Sequence, residues 1–232
     1  MYQYKVAVNN LNLDVYSFQY EPVESNMYFI PVGSSGIVFD PNISENLLEL
    51  FETFRTQSVQ IILTHEHYDH ITGVEWLQER LDAPLFCQEE CARAIYTNVG
   101  NSPRFVALAT KAKDLKDGGH RYEELISKLR VFTLKADKTF SERGEIKVGP
   151  LTLECFHTPG HSPGSACYIL DGKYVFTGDT LIQNTPTILR FKTSRERDFE
   201  AISRPFLRSL DKNTMVFPGH GEPFGIKDAK YL

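Results

Sequence analysis

The run 59–63, Val-Gln-Ile-Ile-Leu, leads straight into Thr64-His65-Glu66-His67-Tyr68-Asp69-His70. A short run that is nearly all apolar reads as a strand buried on both faces. Three of the chain's seven histidines therefore stand within six residues at the end of a buried strand. A loop in that position can aim side chains in one direction, where a strand would send them to alternate faces. Imidazole nitrogens suit Zn²⁺ and carboxylates add a harder oxygen ligand, so His65, His67, Asp69 and His70 are candidate metal ligands. A chain that uses them must bring further ligands to the same sheet edge.

Three later segments can do so. His157-Thr158-Pro159-Gly160-His161-Ser162 follows an expected strand at 151–156, Gly178-Asp179-Thr180 follows one at 174–177, and Pro218-Gly219-His220-Gly221 follows one at 215–217. Each sets a metal-capable side chain directly after a strand, beside a glycine that permits a tight turn. Four strand ends would then deliver His65, His67, Asp69, His70, His161, Asp179 and His220 to one place.

The remaining pattern supplies sheets and helices around that edge. β-branched and aromatic residues predict strands at 5–8, 14–20, 27–32 and 36–39, with a hairpin signal at 31–36. Leu47, Leu48, Leu50, Phe51 and Phe54 recur at helical spacing and predict a helix over 42–57. Further helices are expected at 75–81, 89–96, 104–115, 121–129 and 196–210, the last with Pro205 as a kink or break. Further strands are expected at 84–86, 145–148 and 165–170. Strands, then helices, then strands imply sheets with helices outside them.

At 232 residues, with 41% hydrophobic and 24% charged side chains, the chain has the balance of a globular protein large enough for one core. We expect one domain, 1–232, with a helical insertion at about 92–143. No apolar run approaches the ~20 residues needed to cross a bilayer. A net charge of -5 argues against general nucleic-acid binding. Residues 1–10 do not read as a secretory signal, and the four cysteines form no C-x-x-C pair, so a cytoplasmic setting is expected.

In order and spacing, the H-x-H-x-D-H motif at 65–70 and the Pro-Gly-His-Ser, Gly-Asp-Thr and Pro-Gly-His segments resemble the metallo-β-lactamase superfamily. The resemblance spans roughly 26–90 and 144–221. It implies an α/β (α+β) fold, a four-layer αββα sandwich of two packed mixed β-sheets flanked by helices. It also implies two Zn²⁺ ions, with Fe or Mn as alternatives. His65, His67 and His161 would hold the first and Asp69, His70 and His220 the second, with Asp179 bridging. Asp69 and Asp179 then count as catalytic, and a metal-bridging hydroxide would attack an ester, thioester, lactone or phosphoester.

The true β-lactamases generally lack a carboxylate at the bridging position, so the ligand set is closer to that of glyoxalase II-like hydrolases. Two features differ from the larger glyoxalase II enzymes. Only eleven residues follow Gly221, and no Gly-rich basic stretch follows Asp179; Arg190 and Lys192 come later. Arg190, Lys192 and Tyr68 are candidate substrate contacts for a small molecule, for which the two cations would suit an anionic group. Persulfide dioxygenases give an alternative, one iron on residues matching His65, His161 and Asp179.

Other residues have plainer expectations. Asp40 could orient a ligand histidine or merely begin a turn. His157 reads as a structural hydrogen-bonding residue and His120 as surface. Glu66 occupies a variable motif position, and Cys87 and Cys91 read as buried small hydrophobes. The stretch 92–143 carries eleven Lys or Arg against six Asp or Glu, which suggests a basic cap over the metal cleft.

Overall fold

The computed structural model describes residues 1–8 and 11–232. β1 (Tyr2–Val8), β2 (Leu11–Tyr20), β3 (Ser25–Val32), β4 (Ser35–Phe39), β5 (Ser58–Ile62), β6 (Leu85–Gln88) and β7 (Lys138–Phe140) lie side by side in chain order as a seven-stranded sheet. The first four pair antiparallel, and β4 to β7 pair parallel. Parallel neighbours require a crossover. α1 (Glu45–Phe54) supplies the one after β4. A single turn at Tyr68–His70 and α2 (Val74–Gln78) supply the next. α3 (Glu89–Thr97), α4 (Arg104–Asp117) and α5 (Arg121–Ile126) fill the last.

β8 (Arg143–Val148), β9 (Leu151–His157), β10 (Ala166–Leu170), β11 (Tyr174–Gly178), β12 (Met215–Pro218) and β13 (Phe224–Gly225) form a second sheet in the order β13-β12-β11-β10-β9-β8. Only β11 and β12 pair parallel. Their crossover contains a helical run, 196–209, made of α6 (Glu196–Asp198), a π-helical turn at Phe199–Ser203 and α7 (Arg204–Ser209).

Alternate residues of each strand point into the space between the sheets, as the two-residue period demands. Tyr28, Ile30, Phe39 and Ile62 meet Leu153, Tyr168, Phe176 and Phe217 in a common core. Phe39 stacks on Phe176 with ring centroids 4.0 Å apart and planes 9° from parallel. The intervening residues face outward. Phe29, Val38, Ile61 and Leu85 pack on Leu47, Phe51, Leu77, Cys91 and Ile95 of the first helical layer. Cys167, Val175 and Val216 pack on Leu207 of the second. The result is the expected helix–sheet–sheet–helix sandwich with two mixed sheets. No helix among the described residues is long and apolar enough to cross a membrane.

Two expectations shift. β7 has no counterpart among the expected strands, because Lys138 and Thr139 are exposed and carry no apolar alternation. Within the stretch 92–143, Ile95 and Leu134 pack in the core and β7 lies in the first sheet. The helix expected at 196–210 runs past Pro205 because that residue sits in the first turn of α7, where a missing N–H costs nothing, after a π turn has widened the backbone.

Phe39→Ala removes one member of the stacked pair at the centre of both sheets. It should lower unfolding free energy by about 3–5 kcal/mol, measured by chemical denaturation. A loss under about 1 kcal/mol would show that this contact does not clamp the sheets.

Candidate metal centre

Strands β4, β5, β11 and β12 all end at the same edge of the sandwich, and the turn between β9 and β10 joins them there. Asp40 follows β4 with φ of +48°, a left-handed conformation that Asp tolerates better than most residues. That bend turns its buried carboxylate towards the end of β5. Oδ1 accepts from Thr64 N at 2.7 Å, while Oδ2 accepts from Thr64 Oγ1 at 2.6 Å. Oδ2 also lies 2.9 Å from His70 Nδ1, so that nitrogen carries the proton and donates. Thr64 Oγ1 in turn lies 3.0 Å from His65 Nδ1. The Nε2 atoms of His65 and His70 are left buried with no hydrogen-bond partner among the described residues.

The other histidines are oriented in the same way by backbone carbonyls. His161 Nδ1 donates to Ile188 O at 3.0 Å, and His220 Nδ1 donates to Val23 O at 3.1 Å. Their Nε2 atoms therefore face the cleft. His161 Nε2 stands 2.9 Å from His67 Nδ1. His220 Nε2 lies 3.5 Å from both Asp69 Oδ2 and Asp179 Oδ2. Asp179 reaches both halves: its Oδ2 is 3.5 Å from His161 Nε2, and its Oδ1 is 3.6 Å from His70 Nε2.

Two close approaches make room for this carboxylate. Gly178 has φ of +49°, and a Cβ there would collide with Thr64 Oγ1. At Gly219 a Cβ would collide with Asp179 Oδ1. Larger residues at either place would push β11 and β12 away from the histidines.

The donor set suits divalent cations. His65, His67 and His161 form one group whose candidate ligand atoms lie within 4.8 Å of one another, and Asp69, His70 and His220 form another. Facing nitrogen lone pairs and orphaned buried nitrogens are unfavourable unless a cation or proton lies between them. Without a bound ion the two groups differ in charge. Burial, reinforced by the neighbouring imidazoles, holds His65 well below the usual histidine range and His67 down at about 3. His161 is lowered by burial in the same sense. Burial also opposes charge on His70, but Asp69, Asp40 and Asp179 outweigh it and push His70 up to about 10. His220 is raised by Asp179 and Asp69 against the same burial. Burial would raise Asp69 and Asp179, yet the facing imidazoles hold both below the carboxylate range. One half is thus nitrogen-rich with every imidazole pushed towards neutrality, and the other sets the His70 imidazolium among carboxylates.

Residues 20–220 match the sequence profile of the metallo-beta-lactamase superfamily. The chain belongs to that superfamily. It is 27% identical over 202 residues to the Bacillus subtilis protein described as probable metallo-hydrolase YqgX, covering 86% of both chains. Among solved structures, it is similar to BLEG-1, a B3 metallo-beta-lactamase, with a TM-score of 0.73, 22% identity and 92% and 95% of the two chains covered. It is also similar to TTHA1623 in a di-iron-bound form, with a TM-score of 0.68, 26% identity and 91% and 95% coverage. Superfamily membership and the clustered donors together indicate a metal-dependent enzyme of the metallo-hydrolase kind.

In this superfamily member the cleft has two arms that meet at His67, Asp69, Phe105 and Phe191. Phe191 lies edge-on to both His67 and Phe105, with centroids 4.9 Å away in each case. The first arm, 380 Å³, reaches Asp179 and His220 and is closed by Glu24 and Lys113, which pair with each other. The second, 580 Å³, runs along α4 past Arg104 and Leu108 to Lys192. Helix α4 therefore roofs the centre, and Phe105, Lys113 and Phe191 are site residues that the motifs did not reveal. Only Lys113 left a signal, as part of the excess of Lys and Arg in 92–143.

The other candidates separate cleanly. Lys192 lines the larger arm, whereas Arg190 is exposed and lines neither. Tyr68 is buried, with its ring on Phe132 at 5.6 Å and its hydroxyl accepting from Arg130 N at 3.4 Å. It adds only a wall to the larger arm. His157 Nε2 donates to Pro163 O at 2.8 Å, the structural bond expected. His120 is exposed, just before α5. Glu66 is buried behind the ligands, where it accepts from Ser162 Oγ at 2.9 Å and burial pushes its carboxyl up. Cys87 and Cys91 are both buried and unpaired.

Asp40→Asn tests the orienting carboxylate. Whichever way the amide sits, its NH₂ must face either Thr64 N or the pair of Thr64 Oγ1 and His70 Nδ1. Affinity for Zn²⁺ should fall about 10–100-fold, measured by competitive chelator titration. Unchanged affinity would reduce Asp40 to a turn residue.

Proposed function

We propose that this protein is a dinuclear-metal hydrolase of the glyoxalase II-like group, acting on an ester, thioester, lactone or phosphoester. The single observation that carries the reading is Asp179, whose two oxygens stand within 3.6 Å of nitrogens from both donor groups. A carboxylate so placed can serve two ions at once. His65, His67 and His161 would hold the first, and Asp69, His70 and His220 the second. Nitrogen-rich donors with carboxylates suit Zn²⁺, and Fe or Mn also fit; the similarity to a protein in di-iron-bound form supports a two-ion site.

When bound, such a pair of ions activates water near neutral pH and polarises the carbonyl or phosphoryl group under attack. The chain's residues do the rest. Asp40, Ile188 O and Val23 O hold protons on the outward nitrogens of His70, His161 and His220, so that the inner nitrogen of each is the one that would meet an ion. Phe191 packs on His67, with Phe105 against Phe191, and limits water on that side. No serine or cysteine nucleophile is needed; all four cysteines are buried and unpaired, which also supports a reducing, cytoplasmic setting. A single-iron centre on His65, His161 and Asp179 would leave His67, Asp69, His70 and His220 converging on the cleft without a role.

Two substitutions test the assignment. Asp179→Ala should lose both ions and lower thioester hydrolysis by at least about 100-fold, whereas His220→Ala should chiefly weaken the second ion. Metal per chain and turnover of a panel of esters, thioesters, lactones and phosphoesters are the readouts. Two tightly held ions and full activity in Asp179→Ala would overturn the bridge, and failure of the metal-loaded wild type to hydrolyse any of the four substrate types would overturn the hydrolase reading.

A further inference from the structure

The two arms of the cleft differ in a way that a hydrolase can use. A hydrolysed molecule has two halves, one on each side of the bond that breaks, and the metal centre lies where the arms meet. The smaller arm is lined by Pro22, Val23, Ile182 and Ile188, and its Glu24 and Lys113 cancel each other's charge. Nothing there calls for a charged ligand group.

The larger arm is different. Val99, Phe105 and Leu108 line it while 57%, 42% and 66% exposed, an apolar surface left open to water beside the reaction centre. Open apolar surface of this kind marks a place where something binds. Arg104, from the first turn of α4, and Lys192, from the segment after β11, both line the same arm. Asp69, already committed to the metal group, is the only carboxylate on that wall among the described residues. Two cations on a wall with no free acid form a receptor for an anion, with Arg able to engage a carboxylate or phosphate through two parallel bonds.

We propose that the larger arm takes an apolar group ending in a carboxylate or phosphate, on one half of a hydrolysed ester or thioester, with Arg104 and Lys192 as its recognition residues. This assignment of substrate class rests on the hydrolase reading. The reaction it serves is balanced by water alone: the acyl carbon gains hydroxyl, the acyl–sulfur or acyl–oxygen bond breaks, and the leaving thiol or alcohol gains the proton. The smaller arm accepts the other, uncharged half. The excess of positive charge along 92–143 draws the anion towards the arm, an attraction that weakens as salt shortens the screening length to about 10 Å at 0.1 M.

The test uses metal-loaded protein and two matched thioester series. One varies the acyl half on a neutral thiol: hexanoyl, its ω-carboxylate and its ω-phosphate. The other varies the thiol half on an acetyl group in the same way. In at least one series an anionic member should exceed its neutral partner about tenfold in kcat/KM, with the carboxylate and phosphate arms showing which anion fits. The preference should shrink with rising salt, fall to near unity in Arg104→Gln/Lys192→Gln, and reverse in Arg104→Glu/Lys192→Glu. Metal content and Tm of each variant keep a folding failure from counting as support. Equal rates for charged and neutral members in both series would overturn the proposal. If neither these thioesters nor any ester, lactone or phosphoester were hydrolysed while the anionic products still bound the metal-loaded protein more tightly than neutral ones, the hydrolase reading would fall and the anion-binding arm would stand.

Discussion

Seven imidazoles and carboxylates are packed against one another at one edge of the sandwich, most of them shut away from water. Burying so many polar groups carries a large desolvation cost, and it is offset only where opposite charges or cations meet them. Much of the rest of the molecule is arranged to make that packing possible. Asp40 sits at the root of the arrangement because its one carboxylate fixes the backbone of Thr64, the hydroxyl of Thr64 and the ring of His70 together.

The fold supplies this arrangement cheaply. Two parallel pairs, β4 with β5 and β11 with β12, end side by side on facing sheets. Each strand end thereby contributes loops that need no long reach. Tight backbone turns make room at this edge: Asp40 and Gly178 both take left-handed backbone, and Gly219 leaves the space that Asp179 fills. Stacking of Phe39 on Phe176, just behind the site, sets how far apart those strand ends lie. Core packing and ligand geometry are therefore one problem in this protein.

Much of this was legible in the sequence. Ligand types at strand ends, each beside a turn-forming residue, follow from period-two patterning and glycine chemistry, and His65, His67, Asp69, His70, His161, Asp179 and His220 do come together. The orienting partners were less visible. Ile188 and Val23 act through backbone carbonyls, which any residue type provides, so nothing in their side chains announces the role. Phe105 and Phe191 read as ordinary apolar residues until the fold sets Phe191 edge-to-face with both His67 and Phe105. β7 and β13 escaped notice because three and two residues are too few to show a period. Tyr68, a candidate substrate contact, stands in the wall of the larger arm while its hydroxyl accepts from Arg130 N.

The central claim is that two ions share Asp179. It is tested most directly by elemental analysis of protein purified without added metal and then dialysed against excess Zn²⁺, paired with anomalous scattering from crystals of the same sample. The account predicts two ions per chain, one among His65, His67 and His161 and the other among Asp69, His70 and His220, with Asp179 touching both. A single ion held by His65, His161 and Asp179, with no second site filling in excess metal, would contradict it.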